Sequence, residues 1–375
     1  MRTTLGFAAV AALSASPQEP APRHPTPVPI KVTGDLATAS GARELKDGRI
    51  LISDAKRAAV YIIDPKAGTT QQIGSAGGGD TQYAQPGGFY AGVADTVYLL
   101  DRAQARVLVI SPSGTIVGSR SIRQKGVTQS STADVDFQQV DSHVLSYFAD
   151  RGLRLNAALG ALASDSAALI RFNPSSQHRD TITLLRQAQK KVTQADEHMQ
   201  MTREIHGSPR DGWGIAADGS VAVVRSSPYR IDWYSPTGKL SRGPTISFDP
   251  IPFTADEKAA ISAAASKSGP RGGFSDAAGT EKNYSFSGSD ELFAPTKAAF
   301  DPTDIIVSSD GHVWVPRNQR FGIKTVLYDV FDRQGERIDR VELPAGNRVI
   351  GFGPNSVYTA ERGDKGVAVL RKYKL

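Results

Sequence analysis

Apolar runs too short for a helix recur along almost the whole chain, each bounded by Gly, Asp, Ser or Pro. Four of them stand in or beside the stretch 74–120, at residues 89–93, 97–100, 107–110 and 116–117. Runs of this length between turn residues predict strands, here one four-stranded antiparallel meander. The preceding segment has the same plan at a constant offset of 47 residues: Asp54 matches Asp101, Val60 matches Val107 and Pro65 matches Pro112. A fixed period of this size, with four strands per unit, predicts a β-propeller.

Turn residues count the units. The turn after the first strand recurs at Asp47-Gly48, Asp95-Thr96, Asp141-Ser142, Asp218-Gly219, Asp310-Gly311 and Asn355-Ser356. Tight hairpins want residues that tolerate positive φ, and the six sites predict six blades. The hairpin between third and fourth strands recurs only five times, beginning at Asp64, Ser111, Asn173, Ser235 and Asp332. The last blade therefore lacks an outer strand, and the apolar run at residues 29–34 is expected to supply it. The fold class expected is all-β: a six-bladed propeller of four-stranded antiparallel blades, closed by an N-terminal strand, with short helical insertions on one face.

Gly77-Gly78-Gly79-Asp80-Thr81-Gln82-Tyr83-Ala84-Gln85-Pro86-Gly87-Gly88, followed by Val97-Tyr98-Leu99-Leu100-Asp101 and Arg106-Val107, resembles the NHL-repeat pattern. That pattern is a glycine-rich loop, Gln-aromatic, Pro, an apolar strand, Asp and then Arg-apolar. The likeness is good over roughly the first hundred residues after the N-terminal segment. Further on the chain is similar to the secreted bacterial six-bladed propellers of the TolB-like group, and it has no Trp-Asp dipeptide of the WD40 kind. Such families include scaffolds, sugar and peptide binders, metal-dependent lactonases and a peptide-amidating lyase, so the resemblance implies a fold and leaves function open.

A chain of 375 residues would ordinarily split into domains, because a single core stops growing near ~250–300 residues. A radial array of small cores escapes that limit, so residues 28–375 are expected to form one domain. The 36 Gly and 22 Pro suit a structure built of turns. The absence of Cys excludes disulfides, thiol nucleophiles and thioether lipidation. Arg2 precedes the apolar run 5–13, followed by Ser14-Ala15-Ser16, the pattern of a secretory signal at residues 1–15. That run is far shorter than the ~20 residues of a membrane span. Residues 16–27 read as an extended, solvated Pro-rich linker, and a secreted or periplasmic monomer is expected.

Successive first turns are 48, 46, 77, 92 and 45 residues apart. Blades three and four thus carry insertions, placed at residues 149–165, 186–211 and 248–301. Turns of a meander alternate between faces, which puts all three insertions on one face. Thr254-Ala255-Asp256-Glu257 is a capping-box pattern opening an Ala-rich helix that runs to Lys267, with Gly269-Pro270 as its stop and a loop at 271–283 after it. This helix is either a lid over the channel mouth or a packing element. Residues 187–201 suggest a second helix.

The second-to-third-strand connections on that face are rich in cations: Lys56, Arg57, Arg102, Arg106, Arg151, Arg154, Arg225, Arg317, Arg320, Lys324, Arg362 and Lys365. Asp54, Asp101, Asp150 and Glu361 sit at the end of the second strand, where NHL-like blades use an acid to pin the loop through an Arg, so Arg106 reads as structural. With 44 Lys+Arg against 38 Asp+Glu and a pI near 9.4, the remainder make a positive face that attracts anions. Arg102, Arg151, Arg154, Arg225, Arg317, Arg320 and Arg362 are the candidate ligand-binding residues.

Nucleophile elbows, Walker loops, Gly-x-Gly-x-x-Gly and His-Glu-x-x-His are all absent. Acids at the mouth-facing starts of inner strands remain, Asp136, Asp211, Asp301 and Asp304, with His206 nearby and Trp213 beside Asp211. Asp136, Asp211, Trp213 and Asp304 are candidate channel-mouth residues. Asp136, His206, Asp211 and Asp304 are the only candidate metal ligands, for Ca²⁺ if any, although separate loop caps are the expected role of the acids. The reading that follows is a secreted or periplasmic binding module, without a cofactor, whose basic face holds a protein, polymer or other anionic ligand. A metal-dependent, lactonase-like hydrolase or lyase with its site at the channel mouth is the alternative. Neither specific nucleic-acid binding nor a transmembrane segment is expected.

Overall fold

The computed structural model describes residues 21–30, 36–122, 135–140, 146–150, 166–194, 200–268, 271–275, 281–285, 292–362 and 367–375. Among these the regular structure is strand, apart from one α-helix and single 3-10 turns. The strands form antiparallel meanders in chain order. The second meander is Pro86–Ala91, Val97–Asp101, Arg106–Ile110 and Ile116–Ser121; the third is Val135–Val140, Ser146–Asp150, Ser166–Asn173 and His178–Arg186. The fourth is Gly212–Ile215, Val221–Ser226, Tyr229–Tyr234 and Leu240–Arg242; the fifth is Ile306–Val307, Val313–Pro316, Thr325–Phe331 and Arg337–Pro344.

An eight-stranded sheet holds the remainder. It joins Gly41–Glu44, Ile50–Asp54, Ala59–Asp64 and Thr69–Gln72, the first meander, to Arg348–Gly353, Ser356–Arg362, Ala368–Lys374 and Thr26–Val28, the sixth. The junction is a short parallel pairing of Ala42 with Gly351 and Arg43 with Phe352. A Cβ on Gly351 would lie 1.8 Å from the Ala42 carbonyl oxygen, so only glycine permits this approach.

The hairpins have the expected chemistry. Gly48, Asp95, Gly219, Gly311 and Asn355 all have positive φ at first turns, and Gly68, Gly114, Gln177, Gly238 and Gly335 do so at the outer hairpins. The remaining first turn, at Asp141-Ser142, lies outside the described residues.

Packing is between meanders. Leu51 and Val60 of the first meet Leu99 and Leu108 of the second. Leu169 and Leu185 of the third meet Val221 and Val223 of the fourth, and Val224 and Ile231 of the fourth meet Val315 and Phe331 of the fifth. Trp314 and Tyr328 of the fifth meet Val349 and Val357 of the sixth; Ile350 and Tyr358 of the sixth meet Ile50 and Ile52 of the first. Second and third strands are sandwiched on both sides, which is why they are apolar at nearly every position. A radial series of small cores between successive four-stranded sheets is the arrangement of a β-propeller.

Three expectations need correction. The strand seen on the outer edge of the sixth meander is Thr26–Val28, paired Thr26 with Lys374 and Val28 with Lys372; of the run at 29–34 only Pro29 and Ile30 are among the described residues. The start of the strand falls in the stretch read as a solvated linker, where Arg23 is also held, its N–H donating to the Arg340 carbonyl and its carbonyl accepting from Glu342 N–H. Residues 187–201 hold no helix among the described residues: Lys190–Gln194 and Gln200–His206 pair as an antiparallel hairpin, the β-branched Val192, Thr193, Thr202 and Ile205 outweighing their helix-forming neighbours. Within 271–283 stands another hairpin, Arg271–Ser275 with Glu281–Ser285.

The predicted helix is present as Ala255–Ser268, here α1. Thr254 caps it, Oγ1 accepting from the Glu257 N–H at 3.2 Å. The Glu257 carboxylate, itself half-buried, turns away from the cap to meet the buried Lys297 Nζ at 2.5 Å, so that α1 is docked through an ion pair.

Candidate functional site

The first strands of the first, second, fourth, fifth and sixth meanders line one cavity of about 770 Å³. Its wall is built from residues 42–46, 88–92, 212–217, 305–309 and 348–354, and it extends from the first turns at one end to Arg102, Gln187, Arg210 and residues 302–304 at the other. The cavity is thus a channel between the inner strands of these meanders. Aromatic and aliphatic surface from Phe89, Tyr90, Trp213, Ile305 and Phe352 alternates with charge. Burial pushes the Tyr90 hydroxyl up to about 12, so it is a neutral donor at physiological pH.

The charges are unbalanced. Of the acids on the wall, Glu44 accepts from Tyr358 Oη at 2.5 Å and from Lys372 Nζ at 3.0 Å, while Asp95 meets Lys46 at 2.6 Å. Asp211 has no acceptor capacity to spare: Oδ1 takes the Ser226 N–H and hydroxyl, each at 2.8 Å, and Oδ2 takes Arg186 N–H at 3.1 Å and Arg225 at 3.0 Å. The arginines are not matched in return. Arg43 is half-buried, burial lowers its pKa, and no carboxylate among the described residues lies within ion-pair reach of it. Arg102 and Arg210 likewise have no carboxylate partner among the described residues. Arg348 has a long contact of 3.9 Å to Asp304.

Asp304 closes a 3-10 turn, Pro302–Asp304, that Asp301 caps by accepting from the Thr303 N–H at 3.0 Å. Burial raises the Asp304 pKa; Arg348 opposes the rise and Asp301 adds to it. The site thus combines half-buried guanidiniums with a carboxyl held above its ordinary range.

No family model and no curated protein matches the chain. Among solved structures it is similar to a calcium-binding protein, regucalcin, from Agrobacterium tumefaciens, at 10% identity over 91% of this chain and 92% of that one, with a TM-score of 0.38. A virginiamycin B lyase from Staphylococcus aureus is 11% identical over 92% and 98% of the two chains, TM-score 0.39. A gluconolactonase from Xanthomonas campestris is 13% identical over 90% and 87%, TM-score 0.39. Likenesses this distant carry no argument about this chain. The propeller is read from its own strand order and cores.

Two of the candidate ligand-binding arginines are structural. Arg225 donates to Asp232 at 2.9 Å, Asp211 at 3.0 Å, the Leu184 carbonyl at 2.6 Å and Thr183 Oγ1 at 2.9 Å. Arg317 donates to Asp329 at 2.7 Å and the Ala299 carbonyl at 2.9 Å, and lies over the Tyr229 ring. Local sequence hides this, because the partners come from other strands and, for Ala299, from the inter-blade segment. Arg320 is exposed, Arg102 belongs to the channel, and the side chains of Arg151, Arg154 and Arg362 lie outside the described residues. Arg106 is structural as expected, donating to the Gly78 and Gln82 carbonyls and to Asp101, which in turn caps Gln85.

The proposed metal donors do not fit a metal. Asp211 is saturated, His206 stacks on Phe293 with centroids 5.2 Å apart, and the Asp136 side chain is outside the described residues. Among the described residues no three His, Asp or Glu side chains converge. Trp213, Asp211 and Asp304 are on the wall of this cavity, Trp213 also packing with Leu185, Val221 and Val223. Arg43 was not anticipated. Its signal was an Arg in the inner strand Gly41–Glu44, where the neighbouring inner strands carry Gly and apolar residues at the pairing positions.

Proposed function

We propose that the six meanders are the six blades of a closed propeller whose central channel binds a small organic anion, Arg43 gripping its carboxylate or phosphate. The observation that carries this reading is the half-buried Arg43 guanidinium on the channel wall without a counter-ion among the described residues. A buried charge left unpaired is costly, and an anionic ligand would supply the missing partner with bidentate geometry. Arg102, Arg210 and Arg348 add to the positive field in the same channel. Loss of Arg225 and Arg317 to internal ion pairs weakens the broad basic face as the binding surface and favours the channel.

Asp304 favours catalysis over mere binding. A carboxyl whose proton is held more tightly than usual suits general acid–base work on an ester, lactone or eliminable bond of the bound anion. The hydrolase or lyase reading rests on that residue. Calorimetric titration with a panel of sugar acids and dicarboxylates is the test. Arg43→Gln is expected to weaken the best binder by roughly 10–100-fold, the range for a charge-assisted pair, without lowering the melting temperature. Unchanged affinity in the variant would refute the site. Turnover of the matching lactone or ester that survives Asp304→Asn would remove the catalytic part and leave the binding part.

A further inference from the structure

The connection between Val313–Pro316 and Thr325–Phe331 is rigid at its stem and bare at its tip. The stem is tied down: Arg317 donates to Ala299 and Asp329, Asn318 Nδ2 to the Ala298 carbonyl at 2.9 Å, and Lys297 Nζ to the Gln319 carbonyl at 2.7 Å. The tip is Arg320-Phe321-Gly322-Ile323-Lys324. Phe321 is 50% exposed and Ile323 51%. Gly322 has φ +87° and nothing lies within 4 Å of where its Cβ would stand, so the turn projects clear of the fold.

Fold stability gives no reason for two large apolar side chains here. Both sit on a convex turn, whereas an apolar residue meant for the core is turned inward. Cations flank them on each side, exposed and with no ion pair among the described residues, and no acid occurs in sequence between Arg317 and Asp329. Exposed Lys56 and Arg102 lie in the equivalent second-to-third-strand connections of the first two meanders, hence on the same face.

We propose that this tip is a membrane contact: Phe321 and Ile323 enter the boundary between headgroups and acyl chains of an anionic bilayer, with Arg320 and Lys324 on the lipid phosphates. Apolar side chains with adjoining basic residues have this preference, because the long cationic side chains reach the headgroups while the apolar ones leave water. A folded protein partner would need a pocket for a protruding tip and far more area than two side chains supply, whereas a fluid surface accepts it as it stands.

The test is co-sedimentation of the full chain with vesicles of phosphatidylcholine alone or mixed equally with phosphatidylglycerol. Wild type should sediment with the mixed vesicles only, less so as salt shortens the Debye length to about 8 Å and below. The double variant Phe321→Ser/Ile323→Ser should bind about tenfold more weakly or not at all, with an unchanged melting temperature; Arg320→Gln/Lys324→Gln should lose the preference for anionic lipid. In Phe321→Trp, against three buried native tryptophans, emission should shift to the blue on mixed vesicles. Equal sedimentation of wild type and the Ser variant, binding without the blue shift, or no sedimentation of wild type at all would each overturn the proposal. Loss of a soluble partner in the Ser variant without any vesicle binding would do so too, and would make the tip a protein contact.

Discussion

Arg43 and Arg225 show how position decides what a guanidinium does. Arg225 is enclosed by Asp211, Asp232 and three further acceptors, whereas Arg43 faces open channel with desolvation as the cause acting on it. The consequence for Asp211 is specific. Asp211→Ala should destabilise the protein by about 2–3 kcal/mol, because it removes one of the two carboxylates on Arg225 and leaves the Ser226 and Arg186 donors unmet; chemical denaturation measures it. Asp304 gives the opposite sign. Its folded pKa is raised, so the folded state holds the proton more tightly than the unfolded one, and the contribution is full below the unfolded carboxylate value and lost as pH rises through the folded one. Asp304→Asn should therefore stabilise at neutral pH and have no such effect near pH ~3, as melting temperatures across that range would show. The structural role of Arg106 was legible because Asp101 lies five residues away on a paired strand. The role of Arg317 was not, since Ala299 lies on another segment.

Closure by a β-strand distinguishes the sixth meander at the level of elements. Lys372–Lys374 would lack an outer partner without Thr26–Val28, and an open edge recruits other chains. Deletion of residues 21–30 removes this strand and the Arg23 bridge to the fifth meander. It should lower the melting temperature by roughly 5 °C or more or cause aggregation, measured by scanning fluorimetry with light scattering. An unchanged transition would show the strand to be dispensable. The missing outer strand was foreseeable from a count of turns, because positive-φ residues mark hairpins irrespective of what surrounds them. Its register was not, since Thr26-Pro27-Val28 has no alternation and is placed by the edge that receives it. For residues 190–206 the sequence mixes helix formers with β-branched residues, and parallel pairing of Ile205 and His206 with Leu292 and Phe293 fixes strand. Tertiary context decided there.

At the scale of the molecule, the first strands of five meanders line the channel. Periodicity exposes the repeat but carries no information on which wall residue lacks a partner, and so the channel was visible as architecture but not as a site.

The pairing of Thr26 with Lys374 also bears on how the chain reaches its folded state. Partners within one meander are separated by tens of residues at most, but these two are separated by almost the whole chain. Loop closure over that span costs about 0.6 kcal/mol more for each doubling of length, close to 2 kcal/mol beyond closure within one blade, and such contacts form late. During synthesis the sheet cannot be completed until Ala368–Lys374 has been made. Every intermediate before then leaves Thr26–Val28 without the edge it pairs with, so that the nascent chain is the form most in need of protection from its own copies.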